Sequence, residues 1–194
     1  MNQHAFLGVV AIALTLIAFV PYITSILRGT TRPHVISWVI WACATFAIAM
    51  AQFLDGGGAG AWPIAVSGVI TGYVAILAYY KKGDSQINIL DWFFLVVAML
   101  GLALWWWQNN ALYAVVILTL IDLCGFAPTF RKAWRKPHEE NALFFSIMTV
   151  RNILAAMALE HYSVTTLLFP TLTALACGLL LFVLVWRRHM LHVI

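Results

Sequence analysis

Charged residues are scarce in this chain, and their scarcity decides its class. Asp, Glu, Lys and Arg make up 9% of the 194 residues, whereas 63% are hydrophobic. A soluble domain of this length could not bury so much apolar surface in one core. We therefore expect an all-α integral membrane protein that crosses the lipid bilayer of the cell membrane several times.

Motifs of hydrolases, ATP-driven pumps and metal sites are absent. The sequence has no phosphate-binding glycine loop with Lys, no HExxH and no Ser/His/Asp set at one depth. Its cysteines, Cys43, Cys124 and Cys177, lie in apolar segments without CxxC or Cys/His ligand spacing. We expect no enzyme activity, no catalytic residue, no metal site and no cofactor.

Seven apolar segments are long enough to span a bilayer, which takes roughly 20 residues. They cover about 5–27, 35–54, 61–80, 88–107, 111–131, 141–160 and 163–186. The joints between them are short, and the clearest is DGGGAG at 55–60, because glycine accepts backbone angles that other residues resist. The sequence therefore predicts seven transmembrane helices.

All six prolines recur at a nearly fixed spacing, which indicates an internal duplication. The pairs are Pro21 with Pro128, Pro63 with Pro170, and Pro33 with Pro137. The first two pairs are 107 residues apart and the third is 104 apart. Proline fixes φ and lacks a backbone donor, so shared prolines report shared backbone geometry. We predict a three-helix repeat in 1–82, a connector helix in 83–111 and a second repeat in 112–194.

The cations are concentrated at one end of the predicted helices. Ten of the eleven Lys and Arg residues follow the first, third, fifth or seventh segment. Cations in short loops stay in the cytoplasm, so we expect the N-terminus outside and the C-terminus inside. One connector helix then gives the two repeats the same orientation, which makes them parallel. We interpret the net positive charge as a sign of how the chain is oriented in the membrane, and we expect no nucleic-acid partner.

Two parallel three-helix repeats around a connector, with the N-terminus outside, resemble the SWEET and PQ-loop superfamily of small-solute transporters. A proline toward the inner end of the first helix of each repeat, Pro21 and Pro128, also matches. The family's Pro-Gln dipeptide reads Pro21-Tyr22 and Pro128-Thr129 here. The resemblance implies that both prolines are hinges of a cytoplasmic gate. The alternative is that they only kink packed helices.

Two ionisable side chains lie near the middle of predicted spanning helices, where such groups are costly and need a partner. Asp122 is about ten residues into the fifth segment, and Arg151 is about ten residues into the sixth. A short loop joins these segments, so we expect them to be neighbours and the two residues to form an ion pair. The pair could be a structural clamp or could handle substrate or protons. Asp122 would be the titrating group, because arginine keeps its proton.

Further polar and aromatic side chains complete the predicted substrate-binding set. Asn152 has an amide that its own helix does not easily satisfy, whereas Thr45 and Thr71 more often bond their own backbone. Trp38 and Trp41, three residues apart, match the tryptophans that the superfamily places on the second helix. The Trp-x-x-Trp pair is also similar to bacterial vitamin-precursor transporters of the nicotinamide riboside type. For Trp38 the alternative is a membrane-interface anchor.

These features predict a membrane transporter of a small polar solute, such as a sugar or a vitamin precursor. It would work by alternating access between two three-helix bundles, facilitated or proton-coupled, as a monomer or a homo-oligomer. The alternative is a non-transporting receptor or accessory protein of the same fold, since the superfamily also includes the KDEL receptor. A water-filled centre would favour transport, and a packed centre would favour the alternative.

The clustering of cations gives a first testable prediction about orientation. In intact cells, single cysteines replacing Asp55 or His161 should react with a membrane-impermeant thiol reagent. Cysteines replacing Arg135 or Arg188 should react only after permeabilisation, because the positive loops are cytoplasmic. Labelling of position 135 in intact cells would contradict both the orientation and the parallel repeats.

Overall fold

The computed structural model describes residues 2–29, 35–81, 89–108, 110–135, 137–139 and 142–192. This described part is helical throughout its regular structure and contains no strand. Its α-helices are α1 (Gln3–Leu27), α2 (Val35–Leu54), α3 (Ala61–Tyr80), α4 (Ile89–Gln108), α5 (Ala111–Arg135), α6 (Ala142–Met157) and α7 (Val164–His192). Two 3₁₀ turns, Gly58–Gly60 and Pro137–Glu139, precede α3 and α6. The all-α class is confirmed.

Three helical stretches are long and apolar enough to cross a membrane. They are Gln3–Leu27, Gly58–Tyr80 and Val164–Leu191. Shorter apolar stretches are Trp38–Leu54, Leu95–Gln108, Ala111–Phe126 and Ala142–Met157. Large apolar side chains are exposed on all seven helices, which is the surface that lipid rather than water stabilises. The fold is that of a helical membrane protein, and the number of spans and their orientation stay predictions.

The helices differ from the predicted apolar segments mainly at their ends. Helix α5 continues to Arg135 and α7 to His192, beyond the apolar residues that mark a span. Both extensions belong to one contact, in which Arg187 Nε donates to the Trp134 carbonyl at 3.0 Å and the guanidinium lies 4.8 Å from the Trp134 ring centre. Helices α5 and α7 therefore extend beyond their apolar residues, because residues near their ends contact each other.

The third helix lies between the other two in each half of the chain. Helix α3 packs against α1 and α2, and α7 packs against α5 and α6. The halves meet through α1 with α6 and through α2 with α5, while α4 packs on α5 and α2. The first helix of each half thus packs against the second helix of the other half, as two copies related by a two-fold axis would. The duplication and its boundaries stay predictions, and the 82/83 boundary lies outside the described residues.

Two loops meet at the end of the bundle that we call the glycine end, formed by residues 55–60 and 158–163. The backbones approach closely, with Glu160 N donating to the Gly57 carbonyl at 3.2 Å. A Cβ on Gly60 would lie 2.6 Å from the backbone nitrogen of Leu159. Gly58 has φ +55 and faces the Glu160 carboxylate, which would overlap with any side chain there. The opposite end, with the last turns of α1, α3, α5 and α7, is called the cationic end.

Helix α1 gives a test of this close packing. A Cβ on Gly8 would lie 2.8 Å from the carbonyl oxygen of Ala59, whereas one on Gly72 of α3 would lie 3.9 Å from its neighbours. Alanine otherwise favours a helix over glycine by about 1 kcal/mol. We expect Gly8→Ala to lower the free energy of unfolding by about 1–3 kcal/mol through overpacking, and Gly72→Ala to leave it unchanged or raise it. Thermal unfolding in detergent measures both, and equal effects would contradict this packing.

Candidate functional site

Arg151 is the largest fully buried side chain in the described part of the chain. Its side chain is 1% exposed, on α6, among helices of apolar composition. An arginine in such surroundings costs free energy unless its donors are satisfied. The site is therefore built from the groups that surround this guanidinium.

The described partners of Arg151 are all uncharged. Its Nε donates to the Thr15 hydroxyl at 2.9 Å, and its Nη1 donates to the Asn152 side-chain carbonyl at 2.6 Å. Its Nη2 donates to the backbone carbonyl of Pro63. A guanidinium has five N–H groups, so one N–H on each terminal nitrogen has no partner among the described residues. The charge itself faces dipoles and no carboxylate.

Each acceptor is held in place by its own helix. The Thr15 hydroxyl donates to the Ala11 carbonyl at 2.9 Å, which leaves its lone pairs for Arg151. The Asn152 amide nitrogen donates to the Met148 carbonyl at 2.8 Å, which turns its oxygen toward the guanidinium. Both side chains are 0% exposed. Thr15 and Pro63 belong to the first half of the chain, so Arg151 joins the two halves.

The predicted ion pair between Asp122 and Arg151 is wrong for this structure. Helix α6 packs mainly against α7 and α1, and α5 is not among its principal neighbours. A short loop between α5 and α6 constrains their ends, but α7 packs between the two helices and separates their middles.

Asp122 has no hydrogen-bond or ion-pair partner in the described part of the chain, and its side chain is partly buried. Thr119 lies one helical turn before it, and the fully buried Thr119 hydroxyl also has no described partner. On α7, the buried hydroxyl of Thr173, one turn before Cys177, is equally unpartnered. None of these groups belongs to the Arg151 cluster, which we define as Arg151, Thr15, Asn152 and the Pro63 carbonyl.

The predicted tryptophans belong to an aromatic layer, which consists of Phe19, Tyr22, Trp38, Trp41 and Phe144. Trp38 contacts Trp41 edge-to-face with ring centres 5.4 Å apart and stacks on Tyr22 at 5.2 Å. Phe19 contacts Trp38 and, in the other half, Phe144. Phe19 is one turn beyond Thr15 on α1. The aromatic layer therefore lies next to the Arg151 cluster, on its cationic-end side.

The remaining predicted residues lie apart from the Arg151 contacts. The hydroxyls of Thr45 and Thr71 donate to the carbonyls of Trp41 and Ser67 in their own helices, at 2.7 Å each. Helices α1 and α5 continue through Pro21 and Pro128. Pro21 is exposed, and the side chain of Pro128 lies outside the described set. A hinge at either proline stays a prediction.

A polar network links the two halves at the glycine end. The Ser163 hydroxyl donates to the Asp55 carboxylate, and His161 Nδ1 lies 2.7 Å from the Asp55 carbonyl oxygen. Nearby, Gln52 Nε2 donates to the Thr166 carbonyl at 2.7 Å. Together with Arg151, these bonds close the glycine end of the interface between the halves.

Thr15 and Pro63 are the site members that sequence reasoning missed. The 107-residue spacing aligns Thr15 with Asp122 in the predicted duplication. This alignment draws attention to position 15, but threonine is uncharged and does not stand out in the sequence. A backbone carbonyl such as that of Pro63 leaves no signal in the sequence. A carbonyl oxygen has two lone pairs, so it can accept from Arg151 in addition to a bond within its own helix.

Comparison with known proteins adds no identification. The chain matches no protein-family model, no curated protein and no solved structure. The resemblance to the SWEET and PQ-loop superfamily therefore stays a prediction.

The hydrogen bonds of Arg151 give a stability prediction. Thr15→Val removes the acceptor of Nε in a dry site, so the free energy of unfolding should fall by about 1–3 kcal/mol. Thr71→Val is the matched control, because the Thr71 hydroxyl bonds only to its own helix. This substitution should cost clearly less than Thr15→Val, since a bond from Thr to its own helix adds little to stability. Chemical or thermal unfolding in detergent compares the two. A cost for Thr71→Val as large as that for Thr15→Val would contradict the role given to Thr15.

Proposed function

We propose that this chain is a membrane transporter of a small polar solute, which works by alternating access between its two three-helix halves. The observation that carries the proposal is the Arg151 cluster, in which a buried cation of one half is held by neutral oxygens of the other. An ionisable group inside the membrane is costly, and it is a candidate for a solute or ion pathway by default. The solute site is assigned to Arg151, Asn152 and Thr15.

The contacts between the halves support a reversible opening at the glycine end. They include hydrogen bonds of single side chains, such as Gln52 to Thr166 and Ser163 to Asp55. Such bonds contribute about 1–3 kcal/mol each and can be exchanged for water when the loops separate. Rocking of one half against the other would break them together and expose Arg151.

The proposed orientation places the glycine end outside the cell and the cationic end in the cytoplasm, in seven spans. The described conformation is then closed on the outside. On the cytoplasmic side the aromatic layer separates the Arg151 cluster from the cationic end. Pro21 and Pro128 are the proposed hinges for movement at that side. Asp122, which has no described partner, is the group available for proton coupling.

A second candidate function is a receptor or accessory protein of the same fold. One observation favours it, because Arg151, Asn152 and Thr15 are packed to 1% exposure or less. Under this reading the cluster is a permanent clamp between the halves, and the glycine end never opens. The two functions therefore differ in whether the Arg151 cluster ever meets water.

Alternating access can be tested without knowing the solute. Thr15→Cys, in a variant with the three native cysteines replaced, should react slowly with a membrane-impermeant thiol reagent from the glycine-end side. Cross-linking Asp55→Cys to Ser163→Cys should abolish that reaction and leave reaction from the cationic-end side intact or faster. Val74→Cys, fully buried within α3, is the control and should not react from either side.

The same experiment decides between the two functions. No reaction at position 15 from either side, with or without the cross-link, would contradict transport and favour the receptor. Reaction from the glycine-end side that persists after cross-linking would show that this end is not a gate.

A further inference from the structure

Two oxygen atoms from the first half occupy one edge of the Arg151 guanidinium. Its Nε and Nη2 donate to the Thr15 hydroxyl and the Pro63 carbonyl. The N–H groups of Nε and Nη2 are parallel, and this edge is one that binds both oxygens of a carboxylate. Thr15 and Pro63 therefore take up the two nitrogens that would bind both oxygens of a carboxylate.

The third bond of Arg151 has a different character. Its acceptor, Asn152, is the next residue on α6, so this bond moves with the guanidinium and does not depend on the other half. Separation of the halves would release the edge formed by Nε and Nη2 while Asn152 still orients the group. An open state would thus present a pre-oriented, bidentate anion receptor. Pre-orientation lowers the entropic cost of binding.

The charge balance of the site favours an anion with a single charge. Arg151 has no carboxylate within ion-pair distance in the described residues. One guanidinium neutralises a monoanion, whereas the second charge of a dianion would be buried without a partner.

We propose that the transported solute is a small monocarboxylate whose two oxygens replace Thr15 and Pro63 on Arg151. This deepens the proposed function and rests on it. The aromatic layer beside the cluster, from Phe19 to Trp38, would contact the apolar body of such an acid. Thr15 then competes with the solute, as an internal stand-in that keeps the charge satisfied while the site is empty.

Binding can be tested with acids and their amides as matched probes. The test compares sodium benzoate with benzamide and sodium lactate with lactamide, at equal ionic strength. Inorganic phosphate serves as an oxyanion that is not a carboxylate. The acids should raise the melting temperature of the wild-type protein in detergent by several degrees, because a ligand of the folded state stabilises it. The amides should not. Equal shifts for acid and amide, or a shift with phosphate alone, would overturn the monocarboxylate.

Variants test the assigned edge. Arg151→Gln should lose the response to acids. Thr15→Val should keep it and lower the half-saturating concentration of benzoate by about tenfold, because one competing hydrogen bond is gone. Thr149→Val, the control, removes a hydroxyl that donates to the Phe145 carbonyl of its own helix and should respond as the wild type does. If Arg151→Gln does not fold, Thr15→Val decides, since an unchanged or weaker response there contradicts competition.

The outcomes separate this inference from the proposed function. If position 15 shows gated labelling while no acid exceeds its amide, alternating access stands and the monocarboxylate is wrong. If acids bind through Arg151 while position 15 never shows gated labelling, the anion site stands and transport is wrong.

Discussion

The guanidinium of Arg151 is the constraint on which the rest of the bundle depends. Removing the partners of a buried ion costs about 3–5 kcal/mol, so the structure must keep three acceptors around it. Two of those acceptors, Thr15 and the Pro63 carbonyl, come from the other half of the chain. The same interaction therefore satisfies the charge and holds α6 against α1 and α3, so any movement between the halves must change the surroundings of this cation.

The two halves share an arrangement but differ in chemistry. Thr45 and Thr149 are 104 residues apart, as are the carbonyls of Trp41 and Phe145 to which they donate at 2.7 and 2.8 Å. The positions 104 and 107 residues before Arg151 are both alanine, Ala47 and Ala44. At either spacing, α2 carries no cation at the position that corresponds to Arg151. Only one of the two halves therefore has a buried cation.

The sequence predicted the helices better than it predicted their neighbours. The predicted segments match α2 and α3 to the residue, and the cost of polar groups in lipid pointed to Arg151 and Asn152, which lie in contact. The partner of Arg151 was wrong because loop length restricts helix ends and leaves the lateral order of helices open. That order depends on close packing, such as Gly125 against Trp41 between α5 and α2, which the apolar pattern does not specify.

The separation of Asp122 from Arg151 gives each residue a role that an ion pair would remove. A paired arginine would have its edge occupied by a permanent carboxylate, and an anionic solute could not displace it without leaving Asp122 stranded. Neutral acceptors such as Thr15 are displaced at lower cost, because the hydroxyl keeps its own bond to the Ala11 carbonyl and leaves no charge behind. Under the proposed function, a proton bound by Asp122 would neutralise that carboxylate, and a proton that crosses together with a monoanion would make the movement electroneutral. The proposed transport would therefore suit an acid that moves with a proton better than a neutral solute.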